Sequence, residues 1–130
     1  MPWDNKAADE GLDGIAGTGT TPTWRLHTGV PTIGASGNEL SGNGYNAVQP
    51  GLANITKETN NNTRRLRVTA EMDFGDPTAA WAPTHVGLWD GSSSSAERWG
   101  YWAISPGSID QNTTKVFYAA DTFIVGFGLQ

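Results

Sequence analysis

The stretch Arg65-Leu66-Arg67-Val68-Thr69-Ala70-Glu71-Met72-Asp73-Phe74 decides the fold class of this chain. Leu66, Val68, Ala70, Met72 and Phe74 fall on one parity, and Arg65, Arg67, Thr69, Glu71 and Asp73 on the other. Successive side chains of a strand point to opposite faces, so the pattern predicts a strand with one face on a core and the other wet or at an interface. The stretch follows an Asn60-Asn61-Asn62 tip, whose residue type favours turns.

Working outward, the same style recurs. Trp24-Arg-Leu-His-Thr28 alternates apolar and polar residues and runs into a Gly29/Pro31 turn. Residues 35 to 45 are dense in Gly and Asn and read as a loop, with Tyr45 to Val48 opening a short strand before Pro50. Past the Asp76-Pro77 turn, His85 to Trp89 is a strand, closed by Asp90-Gly91 and a Ser92 to Ser95 hairpin tip. Glu97 to Ile104 is its aromatic return strand, ended by Pro106-Gly107. Lys115 to Tyr118 is a short strand, and Phe123, Val125, Phe127 and Leu129 alternate down a last one. Short strands joined by turn chemistry predict an antiparallel sandwich or barrel rather than β-α-β units. No apolar stretch holds a helical period beyond about two turns. Residues 1 to 22, rich in breakers, are expected to form an extended arm on a β-sandwich domain of residues 23 to 130.

Composition agrees with that class. Of 130 residues, 17 are Gly, 15 Thr, 9 Asn and 8 Ser, a turn-rich, β-leaning mixture that suits no helical bundle. Six Trp and 37% hydrophobic residues are too much apolar material for a disordered chain. The net charge of −5 offers no global field for phosphates, so no nucleic-acid partner is expected. Without cysteine there is no disulfide framework, thiolate metal site or thiol nucleophile. No signal peptide and no run of about 20 apolar residues is read, so no membrane partner is expected.

The search for chemistry predicts no catalytic, metal or cofactor residues. His27 and His85 lie in strands beside Trp or Val, with no Gly-x-Ser-x-Gly elbow to supply a nucleophile. The spacing of a zinc site is missing. The Gly14 to Gly19 segment lacks the Gly-Lys-Ser/Thr ending of a phosphate loop, and Asp9, Glu10 and Asp13 lack the spacing of a calcium loop. Glu58, Glu71, Asp73, Asp76 and Asp90 read as solvated carboxylates at strand faces and turns. Trp81, Trp89, Trp99 and Trp102 can serve a core, a protein interface or a sugar platform. In the Trp99 to Trp102 strand aromatics occupy both parities, so that strand is expected to be covered on both faces, by a second layer or by another chain.

Taken in order, five segments resemble a family of small bacteriophage virion proteins known as tail fibre proteins or head decoration (cement) proteins. They are Thr23-Trp-Arg-Leu-His-Thr-Gly29, Asn38-Glu-Leu-Ser-Gly-Asn-Gly-Tyr45, Ala80-Trp-Ala-Pro-Thr-His-Val-Gly-Leu-Trp-Asp90, Gly100-Tyr-Trp-Ala-Ile104 and Ala120-Asp-Thr-Phe123. Asn46 and Ala47 depart from the small residue and Arg usual after the Gly-Tyr, and Ala120 replaces a common glycine. The resemblance covers residues 23 to 130. It implies a jelly-roll-like antiparallel β-sandwich, non-enzymatic, acting as a homo-oligomer (dimer or trimer) on the virion.

The expected function is capsid decoration, a cement that binds the major capsid protein across subunit seams on the particle surface after assembly in the host cytoplasm. The absence of a long repetitive shaft favours it over the alternative, a tail fibre or tail-tip module with possible glycan contacts. Expected partner-binding residues are Trp3, Leu12 and Ile15 as apolar anchors of the arm, with Arg64, Arg65 and Arg67 as polar docking residues.

Overall fold

A computed structural model describes residues 4–32, 37–105 and 108–128, with the backbone alone for Phe127. In chain order the elements are α1 (Asn5–Ala16), β1 (Thr23–His27), a single 3-10 turn (Leu52–Asn54), β2 (Ile55–Asn60), β3 (Thr63–Val68), β4 (Met72–Gly75), β5 (His85–Trp89), β6 (Arg98–Ala103), β7 (Val116–Tyr118) and β8 (Ile124–Gly128). The strands form sheets of order β1-β5-β6, β2-β3-β8 and β4-β7, and every pairing in the two three-stranded sheets is antiparallel. The mainly antiparallel β class is as the alternation predicts. Two compact units share the chain: Met1–Thr21, Pro50–Met72 and Tyr118–Gln130 in the first, Pro22–Gln49 and Asp73–Phe117 in the second.

In the first unit the expectation of an extended arm is corrected, because Asn5–Ala16 is helical. Ala8, Leu12 and Ile15 stand at i, i+4 and i+7, which places them on one helical face, and all three are buried. Lys6 and Glu10, four apart on the outer face, form an ion pair. The helix stops at Gly17, whose N–H donates to the Asp13 carbonyl at 2.8 Å. Burying the apolar face of α1 against the sheet offsets the cost of the breakers Gly11 and Gly14 within it.

The sheet of this unit turns on Asn61 and Asn62, both at positive φ (47° and 59°). Two such residues form the turn whose twist suits a two-residue hairpin, and Asn60 pairs directly with Thr63 across it. Buried Leu66 and Val68 and half-buried Arg65 and Arg67 keep the predicted alternation; it lapses at half-buried Thr69 and Ala70 and resumes with buried Met72 and Phe74. The ten residues are nonetheless two strands. A bend at Thr69 to Glu71 separates β3 from β4, with Thr69 donating its N–H to Asn54 while the neighbouring strands change from β2 and β8 to β7.

In the second unit β5 is the central strand of its sheet, and Val86, Leu88 and Trp89 are almost wholly buried. β1 was expected to be half-wet, but all five of its residues are buried, Arg25 and His27 included. Trp24, Phe74, Trp81, Ala96 and Val116 complete the core of this unit. Tyr45 and Val48 make single bridges, to Gly75 and Trp24, instead of the short strand expected there. The two-sided burial expected for the aromatic return strand does not hold within the chain. β6 is the sheet edge, and Trp99, Tyr101 and Trp102 are 49%, 42% and 40% exposed. Pro106-Gly107, Leu129, the Phe127 side chain and the start of the Ala35 loop lie outside the described residues.

Candidate functional site

The predicted contact residues lie in the first unit, in three different settings. Trp3 is outside the described residues. Leu12 and Ile15, 0% and 6% exposed, are spent on the helix–sheet core instead of being presented to a partner. The three arginines divide between the two faces of β3. Arg64 shares the parity of Leu66 and reaches α1, where its Nε donates to Asp9 at 2.5 Å. Lys57, opposite Leu66 on β2, makes the parallel contact to Asp13 at 2.8 Å. On the other face Arg65 donates to Glu58 Oε2 and Arg67 to Glu58 Oε1, at 2.7 and 2.8 Å, while Arg67 also reaches Asp121 at 2.5 Å.

Glu58 thus sits between two guanidiniums, Arg67 first and Arg65 second, and they hold its carboxyl below the usual carboxylate range. The Arg64 hydrogen bond lowers Asp9 in the same way. These cations are paired with carboxylates of the same chain. Their chemistry ties β2, β3, α1 and the turn at Asp121 to one another.

Sequence reasoning missed the polar cluster of the second unit. Arg25, with a side chain 2% exposed, lies with its guanidinium 4.9 Å from the centre of the Trp89 ring. It donates to Glu39 at 3.3 Å and to the carbonyls of Gly91 and Ser93 at 2.7 and 3.0 Å. Tyr45 donates its hydroxyl to the second oxygen of Glu39 and accepts the N–H of Leu26, both at 3.0 Å. Burial, with Glu39 adding to it, pushes the Tyr45 phenol far above its ordinary range, so it acts as a fixed neutral donor.

Glu39 and Tyr45 bound the Glu-Leu-Ser-Gly-Asn-Gly-Tyr loop. Gly42, Asn43 and Gly44 all take positive φ (64°, 53° and 83°), and the loop returns Tyr45 to the carboxylate it left six residues earlier. Gly44 is required there, since a Cβ on it would lie 1.9 Å from the Asp76 carbonyl oxygen. The signal that could have exposed this cluster is the strand Arg25 itself, flanked by Trp24 and Leu26, because a charge between two core residues needs a buried partner.

The histidines follow the same logic. Trp89 Nε1 donates to His27 Nε2 at 3.2 Å, so the other ring nitrogen carries the proton, 3.3 Å from the Gly37 carbonyl. Burial outweighs that carbonyl and lowers the imidazole to about 4. His27 is a neutral wedge with both nitrogens engaged, a poor proton shuttle near neutrality. His85 Nδ1 lies 2.8 Å from the Thr84 hydroxyl, its neighbour in the chain, and its ring meets Tyr101 edge-on. Among the described residues no group of three or more His, Asp or Glu is placed to hold a metal ion, and no helix is long and apolar enough to cross a membrane.

Large aromatic side chains of the second unit stay outward on β6. β6 presents Trp99, Tyr101 and Trp102, with Arg98 stacked 4.7 Å from the Tyr101 ring centre. Asp90, Glu97, Arg98 and Trp99 line a small cleft of about 160 Å³ beside it. The arrangement is one of paired charge, a buried polar cluster and an exposed aromatic edge.

No curated protein and no solved structure matches this chain. A family model described as "Podophage GP4 fiber I protein gp80" matches residues 3–123, a span that takes in α1, strands β1 to β7 and all five segments of the virion-protein resemblance, and stops just before β8. The chain belongs to the podophage GP4 fiber I protein family.

Proposed function

We propose that this protein is a non-catalytic structural subunit of a podophage fibre, which reverses the preference between the two virion roles expected from sequence. The observation that carries the reading is the family match over residues 3–123, because it spans nearly the whole chain and not one shared strand or turn. The placement of the helix supports the same choice. A cement bridging capsid seams was to hold on with the apolar residues of an arm, and Leu12 and Ile15 are inside the first unit. The saturated arginines and the buried Arg25–Glu39–Tyr45 cluster suit a rigid module that transmits load without chemistry.

Locating the chain on the particle tests this. A peptide tag placed at the exposed Ser92 to Ser95 hairpin tip and labelled with gold is expected at the tail, on fibres. Label spread evenly over the head shell would overturn the proposal and restore the cement role, with the major capsid protein as partner.

A further inference from the structure

The edge strand β6 has a shape that fits itself. Ile104 donates its N–H back to Thr84, so by strand alternation Tyr101 and Ala103 turn their backbone groups away from β5, towards an edge that no described strand covers. The register irregularity of β6 falls at its start, opposite Leu88/Trp89, which leaves residues 100 to 103 regular and free of the bulge that commonly blunts an edge. Gly100 and Trp102 lie opposite Leu88 and Val86 and so share one face, with Tyr101 on the other. A Cβ added to Gly100 would meet nothing within 4 Å, so the space above it is open.

We infer that β6 pairs antiparallel with β6 of a second copy of this chain, about a twofold axis at Tyr101. In that register Tyr101 meets Tyr101 of the second copy, and each Trp102 covers the open Gly100 of the other chain. On the Gly100 and Trp102 face a large residue meets a small one, and the axis pairs an aromatic with its own kind, which is the self-complementarity a twofold interface demands.

A sugar is the competing occupant, since Trp99 stands beside Asp90, Glu97 and Arg98. That cleft, about 160 Å³, is below the roughly 300 Å³ at which small-molecule sites begin. It also leaves Trp102 and the void above Gly100 unexplained. The exposed fractions of the three rings amount to roughly 250 Å² per copy, against about 800 Å² per partner in a standard stable interface. The pair is therefore weak and concentration-dependent in free solution, and strong only where an assembly holds two copies close.

The chain has no cysteine, so a single introduced thiol reports its own neighbour. Residues directly opposed in a hydrogen-bonded antiparallel pair have Cα atoms about 5.5 Å apart, within disulfide reach. Under copper–phenanthroline oxidation Tyr101→Cys is expected to form covalent dimer about ten times faster than Ser94→Cys at the hairpin tip. In parallel, sedimentation of the unmodified chain from micromolar to millimolar concentration is expected to show monomer passing to dimer. Gly100→Glu, which has room for its side chain, is expected to keep the parent melting curve and abolish the dimer. Equal cross-linking rates would overturn the inference. So would a monomer at every concentration, or a Gly100→Glu chain that still dimerises; a monomer whose Trp fluorescence responds to added glycans would give the edge to a sugar instead.

Discussion

Replacing Arg25 with methionine tests whether the buried polar cluster holds the second unit together. The arginine side chain is 2% exposed and its partner Glu39 16%, so the pair lies close to the buried limit, where severing one partner costs about 3–5 kcal/mol. Two features reduce that figure. The Gly91 and Ser93 carbonyls belong to a partly exposed hairpin tip and regain water, and the Arg25 Nε, which has no hydrogen-bond partner, disappears with the substitution. Methionine also keeps an apolar stem against Trp89. The net expectation is a loss of about 2 kcal/mol, or roughly 6–10 °C in melting temperature for a chain of this size. Glu39→Gln added to Arg25→Met removes the stranded charge yet still accepts the Tyr45 hydroxyl, and should recover about 1 kcal/mol. Thermal melts followed by near-ultraviolet circular dichroism read this directly, since Trp89 lies against the guanidinium. An Arg25→Met chain that melts with the parent, or a double variant no more stable than the single, would refute the claim that the cluster acts as a unit.

Three further outcomes follow from the same structure. His27 is held at about 4, whereas an unfolded histidine titrates near 6.5, so below pH 6.5 the unfolded chain binds a proton that the folded chain refuses. Stability from this group is complete above 6.5, falls by up to about 3 kcal/mol as the pH drops to 4, and is flat below; urea midpoints unchanged across that window would count against it. The lowered carboxyls of Asp9 and Glu58 add a separate loss at still lower pH, as each is protonated. Leu12→Ala should cost about 2–4 kcal/mol and release amide exchange along residues 5 to 16; a variant as stable as the parent would mean that the helix is not docked. Gly44→Ala should cost about 3 kcal/mol or more, because positive φ is compounded by the Asp76 carbonyl at 1.9 Å. Gly42→Ala, at φ +64° with open space, should cost about 1 kcal/mol, and equal losses at the two glycines would remove the close-approach argument.

The parts of the fold that could be read from sequence are those in which one face of an element is apolar and the other is not. The Leu66 to Phe74 alternation is such a case, and burial follows it on either side of the bend at Ala70. β2 could not be found that way, because Ile55-Thr-Lys-Glu-Thr-Asn60 has one apolar residue and gains its stability from its neighbour. A different signal was present. Reflecting the chain about the Asn61-Asn62 turn sets Glu58 opposite Arg65 and Lys57 opposite Leu66, and the structure pairs them so. The helix escaped for the opposite reason. Ala8, Leu12 and Ile15 have the correct spacing, but Gly11 and Gly14 lower its intrinsic propensity, so its formation depends on the sheet that it covers.

The candidate contacts show a deeper limit. Periodicity tells which face of a strand a side chain occupies, but not where the strand lies within its sheet. His85-Val-Gly-Leu-Trp89 and Arg98-Trp-Gly-Tyr-Trp102 both carry tryptophan and are paired with each other. Trp89 is wholly buried because β5 is the middle strand, with β1 and the Arg25 cluster beside it. Trp99 and Trp102 are exposed because β6 is last in the order. Charge behaves alike where the partner is remote: Arg64 reads as a surface cation until α1 supplies Asp9 from a distant position in the chain, whereas Glu58 faces Arg65 and Arg67 across the local hairpin. Strand order and long-range charge pairing are both non-local, and together they move the outward chemistry of this protein from its arginines and amino-terminal segment to the aromatic edge of β6.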